Sequence, residues 1–179
     1  TQAREKGEFD RENHLRQLEK EYFLKVMEIN PRRPEPYIEL GVIATGNNEL
    51  EKAEELMHKA LKRAHREPVP YGILGYITLN RDRNFSKAKE YYLKAIKINP
   101  THPLSLCGMG EIYTHEGNYK EAEKAFHKTI EVVPSKMYQS YLGLGRIAAR
   151  KGDYQSALQQ FRKAVEIGKE RGIRSLGDP

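Results

Sequence analysis

The sequence predicts an all-α chain of tandem helix-turn-helix repeats, and four registers of residues predict it. Gly41, Gly75, Gly110 and Gly145 recur at intervals of 34, 35 and 35 along 179 residues. Ala53, Ala88, Ala122 and Ala157 follow at intervals of 35, 34 and 35. A large side chain, Met57, Tyr92, Phe126 or Phe161, trails each alanine by four, and Ala60, Ala95, Thr129 or Ala164 trails it by seven. Registers that repeat together over such a period define stacked units that each contact their neighbours, not one irregular core.

Each element follows from this pattern. The first helix of every unit carries two large residues beside a glycine at i, i+3 and i+4, one face of a helix. These sets are Tyr37, Leu40, Gly41; Tyr71, Leu74, Gly75; Leu106, Met109, Gly110; and Tyr141, Leu144, Gly145. A glycine inside a helix costs about 1 kcal/mol relative to alanine, so its recurrence points to a close helix contact that a Cβ would block. The second helix presents a matching face: alanine, a large residue, then a small one. Between the two lie Thr45-Gly46-Asn47-Asn48, the longer break Asn80–Ser86, Glu116-Gly117-Asn118 and Lys151-Gly152-Asp153, mostly rich in turn residues. Asn99-Pro100 and Val133-Pro134 end second helices, because the residue before proline is pushed out of the α region.

The boundaries are residues 34–67, 68–102, 103–137 and 138–168 for four units, with a tail over 169–179. A degenerate or partial unit precedes them over 1–33. There Gly7 lies 34 before Gly41 and Phe23 lies 34 before Met57, but Glu19 stands where the small alanine is expected. This unit keeps an apolar second helix, and its first helix is missing or displaced.

The pattern W-x₂-L-G-x₂-Y…A-x₃-F…P resembles what residues 34–168 repeat four times, most closely in Leu106, Met109-Gly110, Tyr113, Ala122, Phe126 and Pro134. On these residues the chain resembles the tetratricopeptide repeat family, although no unit has tryptophan and Thr78 and Ala148 replace the tyrosine. The resemblance implies a right-handed α-solenoid whose first helices form a concave wall on which ligands lie. It also implies a scaffold, and bacterial scaffolds of about five such repeats, including magnetosome-associated ones, resemble this layout.

Chemistry of other kinds is not signalled. Gly108-x-Gly110 and Gly143-x-Gly145 lie in helical patterns, without the strand-to-turn context of a phosphate loop. The six histidines show no H-E-x-x-H spacing or ligand cluster. A lone Cys107 leaves no intrachain disulfide and no cysteine zinc site, as expected of a reducing compartment. The chain is therefore expected to be no enzyme and to need no cofactor or metal. No apolar run approaches a membrane span and the first residues form no signal peptide. The expected location is cytoplasmic, peripheral at most to a membrane or organelle surface.

The inward positions flank the glycines. They supply a candidate protein-binding groove of Ile38, Val42, Tyr76, Leu79, Leu104, Cys107, Glu111, Leu142, Arg146 and Arg150. Relatives that clamp acidic chaperone tails carry lysine and asparagine there; Ile38, Val42, Gly72 and Tyr76 cannot donate that set of charged hydrogen bonds. The groove is apolar with one cationic end, suiting an amphipathic or extended protein segment with acidic residues near one terminus. Phe23, Val26 and Met27 are candidates for self-association into a homo-oligomer.

Net charge is +6, and residues 135–179 contribute most of it, with 9 Lys/Arg against 4 Asp/Glu. The alternative function is thus binding of an anionic surface or nucleic acid through Arg146, Arg150, Lys151, Arg162, Lys163, Lys169, Arg171 and Arg174. Nucleic acid is the weaker version, since no groove aromatics are arranged to stack bases. A regulatory segment of a larger enzyme is the remaining alternative.

Overall fold

A computed structural model describes residues 2–133 and 138–170, and among these it has nine helices and no strand. The helices are α1 (Gln2–Ile29), α2 (Glu35–Gly46), α3 (Leu50–Arg63), α4 (Pro68–Asn80) and α5 (Phe85–Ile98). After them come α6 (Pro103–His115), α7 (Tyr119–Val132), α8 (Tyr138–Arg150) and α9 (Tyr154–Glu170). The chain groups into two compact units, residues 1–74 and 75–179, with the division inside α4. Pro134 and residues 171–179 lie outside the described residues, so the helix stop read at Pro134 and most of the tail do too.

Two helices form per repeat because a left-handed residue breaks the chain between them. Asn48, Arg83, Gly117 and Gly152 have φ of 61, 54, 78 and 83°. Each stands two residues before the next helix opens. The Glu49, Asn118 and Asp153 amides donate five residues back, to Ala44, Tyr113 and Ala148 carbonyls at 2.8–3.0 Å. This satisfies carbonyls that a helix end would otherwise leave bare. In the longer break the Asn84 amide reaches six residues back to Thr78 at 3.1 Å, and its side chain caps α5 by accepting from the Lys87 amide at 3.0 Å.

In the first unit, α1 is one continuous helix packed on α2. Phe23, Val26 and Met27 are half-buried, whereas Leu15, Leu18 and Tyr22 are exposed. Met57 closes on Gly41, where any Cβ would collide with the methionine's end. Arg63 ties the end of α3 to the start of α2: it donates to the Pro31 carbonyl at 2.7 Å and to the Tyr37 hydroxyl at 2.9 Å, and lies 3.9 Å from the Tyr37 ring centroid.

The second unit is organised by aromatic rings set against glycines. A Cβ on Gly75 would stand 2.6 Å from the Tyr92 ring, and one on Gly108 would be nearer still. Gly110 and Gly143 hold Phe126 in the same way, and a Cβ on Gly145 would come within 2.5 Å of Phe161. Around Tyr92 gather Leu79, Ala88, Met109 and Ile112; around Phe126 gather Cys107, Ala122, Leu144 and Ile147. Thr129, standing where other repeats have alanine, donates its hydroxyl to the Ala125 carbonyl at 2.9 Å and so buries no unpaired group.

Gly110→Leu drives four carbons into the Phe126 ring and is expected to lower unfolding stability by roughly 1–3 kcal/mol through overpacking. Urea denaturation followed by circular dichroism measures it, and an unchanged midpoint would remove the ring–glycine contact as an organising feature.

Candidate functional site

A cavity of about 220 Å³ opens in the second unit where α6 and α8 present their inward faces beside the α4–α5 turn. Leu79, Glu111, Arg146 and Arg150 of the sequence-derived groove line it together. Glu111 and Arg146 each follow a ring-contacting glycine, so the clamped rings set where both stand. Arg150 is one helical turn beyond Arg146 and directs Nη1 toward the Thr114 carbonyl at 3.4 Å.

Arg83, Phe85 and His115 also line it, none of them among the groove residues the sequence singled out, together with Asn80, Thr114, Phe126 and Gly143. The available signal was the extra residue in the Asn80–Ser86 break and an arginine where the other breaks carry glycine or asparagine. Phe85 and His115 stack with centroids 3.8 Å apart and planes 16° from parallel, and the Arg83 guanidinium lies 5.5 Å from the Phe85 centroid. The cavity therefore has an apolar floor, an aromatic wall and three guanidinium groups.

Its electrostatics are unbalanced. Glu111 is the one carboxylate among the lining residues. Burial holds its carboxyl above the usual range, against the opposing pull of Arg146 and Arg83. Neighbouring carboxylates are engaged elsewhere: Asp82 with Arg81 at 2.7 Å, Glu116 with Lys89 at 2.7 Å, and Glu123 with Lys151. Among the described residues, Arg83, Arg146 and Arg150 form no ion pair.

The other groove residues fall elsewhere. Cys107 is 4% exposed, in the core beside Phe126, where the Ser140 hydroxyl donates to its sulfur at 3.7 Å. Leu104, Leu142 and Tyr76 are half-buried and do not line the cavity. In the first unit, Ile38 is buried and Val42 is 42% exposed. Met27 lines a separate cavity of about 210 Å³ with Leu24, Leu40, Ile43 and Leu56. Of the basic residues near the C-terminus, Lys163 lies 5.6 Å from the Tyr141 centroid, and Arg171 and Arg174 lie outside the described residues. The described residues hold no group of three potential metal ligands and no helix long and apolar enough to cross a membrane.

Burial pushes the Cys107 thiol up to about 12. Because the thiolate is the reactive form, a disulfide reagent at pH 8 is expected to modify the folded chain at least 100-fold more slowly than the unfolded chain. Absorbance of the released thiol measures this, and equal rates would show that Cys107 is not sealed.

Two family models described as tetratricopeptide repeat match the chain, at residues 71–102 and 101–170, together more than half of its length. A TPR repeat-containing protein of Pseudomonas aeruginosa is 28% identical over 94 residues, covering 52% of this chain and 16% of that protein. The chain thus spans about a sixth of that relative's length. Among solved structures, MamA aligns with a TM-score of 0.60 at 24% identity, over 85% of this chain and 88% of that one. Cut9, from the APC/C heterotetramer Cut9–Hcn1, aligns with a TM-score of 0.69 at 16% identity, over 83% of this chain and 28% of that one. At these identities the solved structures establish the fold alone. Repeats of this kind are generally protein-interaction scaffolds, and the matched registers, the glycine–ring packing and the helix pairs lead to one conclusion: the chain belongs to the tetratricopeptide repeat family.

Proposed function

We propose that the chain is a non-catalytic adaptor that takes a protein segment into the cavity of its second unit. The segment is amphipathic: its apolar side chains meet Leu79 and Phe85, and an acidic side chain meets Arg83, Arg146 and Arg150. The supporting observation is the set of three guanidiniums without an ion pair in a concave site that is otherwise partly apolar. Arginine suits this role because its planar fork grips an oxyanion with two parallel hydrogen bonds. Binding sites of this kind combine an apolar lining with a few polar groups that fix orientation.

Selection of short peptides from a display library on the intact chain tests the reading. Enriched peptides are expected to carry an acidic residue within a few positions of an apolar one. Arg146→Glu is expected to weaken them at least tenfold, about 1.4 kcal/mol. Enriched peptides without acidic residues, indifferent to Arg146→Glu, would overturn it.

Self-association is a second reading, favoured by the stripe Leu15, Leu18 and Tyr22, which is exposed at i, i+3 and i+7 on α1. Phe23, Val26 and Met27 stand half-buried beside it. The occupant in this reading is a second copy of the chain, which would remove that stripe from water at about 25 cal/mol per Å². Light scattering is expected to give a mass above the monomer that falls with Leu18→Asp. A monomeric mass at all concentrations removes this reading and leaves the adaptor reading standing.

A further inference from the structure

We infer that the acidic group taken by the cavity is a phosphomonoester on the partner segment, so that capture depends on phosphorylation of that partner. This rests on the adaptor reading above and adds the chemistry of the anchoring group.

Charge is the first reason. Three guanidiniums against the single Glu111 carboxylate leave a surplus of two positive charges in a concave site. A carboxylate carries one negative charge and leaves half of that surplus. A phosphomonoester carries about −1.5 to −2 at pH 7 and has three acceptor oxygens, enough to engage three arginines arriving from two elements. Those elements are the α4–α5 turn for Arg83 and successive turns of α8 for Arg146 and Arg150.

Backbone geometry is the second. Arg83 occupies the left-handed position, φ 54°, that Asn48, Gly117 and Gly152 fill in the other repeats. A residue with a Cβ and no local side-chain hydrogen bond is strained there, and glycine would relieve it. Strain at a cavity, on a side chain that forms no ion pair, agrees with a residue that serves a ligand. Size agrees: an open cavity of about 220 Å³ accommodates a phosphoryl group with the side chain that carries it.

The test uses the full chain and two small probes, N-acetyl-O-phosphoserine methylamide and N-acetyl-aspartate methylamide, titrated by calorimetry or NMR at pH 7.5. The phosphoserine probe is expected to bind at least tenfold more tightly than the aspartate probe. Arg146→Gln and Arg83→Gly are each expected to weaken it at least tenfold. Arg162→Gln, on α9 outside the cavity, is expected to leave it unchanged. Arg83→Gly is also expected to melt no lower than the parent chain, which separates loss of ligand from loss of fold. Equal affinity for the two probes overturns the phosphate inference while the adaptor reading stands. Phosphoserine binding that ignores Arg83→Gly and Arg146→Gln overturns the site itself. Binding to phosphatidylserine vesicles lost in the same two variants, without phosphoserine binding, assigns the arginines to a lipid surface and overturns the inference.

Discussion

The second unit depends on one repeated contact, an aromatic ring held between glycines of successive repeats. Tyr92 lies against Gly75 of its own repeat and Gly108 of the next; Phe126 lies against Gly110 and then Gly143. Two glycines inside helices forfeit about 2 kcal/mol of helix propensity. A buried aromatic side chain removes some 150–250 Å² from water, worth roughly 4–6 kcal/mol at 25 cal/mol per Å². The ring outweighs the glycines, and the balance explains why a helix-weakening residue recurs where packing is tightest. Since one ring touches two repeats, the contact also joins neighbours, as a linear array requires.

The candidate site is a consequence of that joint. The residues after Gly110 and Gly145 are turned about 100° from those glycines, out of the ring contact and onto the open side of the helix. Glu111 follows Gly110 and Arg146 follows Gly145, so the rings that hold the repeats together also fix the two residues at the heart of the cavity. Glu111 then stands in a half-buried position where burial outweighs its attraction to the arginines. A site framed by packed rings needs little rearrangement to receive a ligand, which limits the ordering cost of binding.

Much of this was legible in the amino-acid order, for reasons that can be named. Glycine, alanine and the rings recur because each faces a helix at a fixed spacing, so period and packing are one signal. The pairing of Gly108 with Tyr92 and of Gly143 with Phe126 was not legible, because it reaches back to an earlier helix and no local pattern marks it. The first unit shows the opposite limit. Gly7 and Phe23 keep the register, yet α1 runs unbroken from Gln2 to Ile29, since Glu8–Glu28 contains no glycine or proline and only Asp10 and Asn13 as turn formers. Periodicity places residues on a face; it takes a turn residue to cut a helix. Cys107 marks a further gap: spacing puts it on the inner wall, but α8 and its Ser140 cover it. The cavity was half visible, because Leu79, Glu111, Arg146 and Arg150 lie on periodic helices, whereas Arg83 and Phe85 come from a turn of irregular length.

That turn shows where the chain departs from its own rules. Several cations of the second unit are matched locally, Arg81 with Asp82 in this same turn, Lys89 with Glu116 and Lys151 with Glu123. Elsewhere a left-handed backbone is given to glycine or asparagine, which accept it most readily. Arg83 breaks both rules in one residue, and Arg146 and Arg150 break the first beside it. None of the three guanidiniums is buried, so the core gains little from their packing, and their mutual repulsion opposes folding. Local rules broken together, with no ion pair inside the chain to offset them, point outside it for compensation. A partner that brings negative charge into the cavity supplies what the fold alone leaves unmatched.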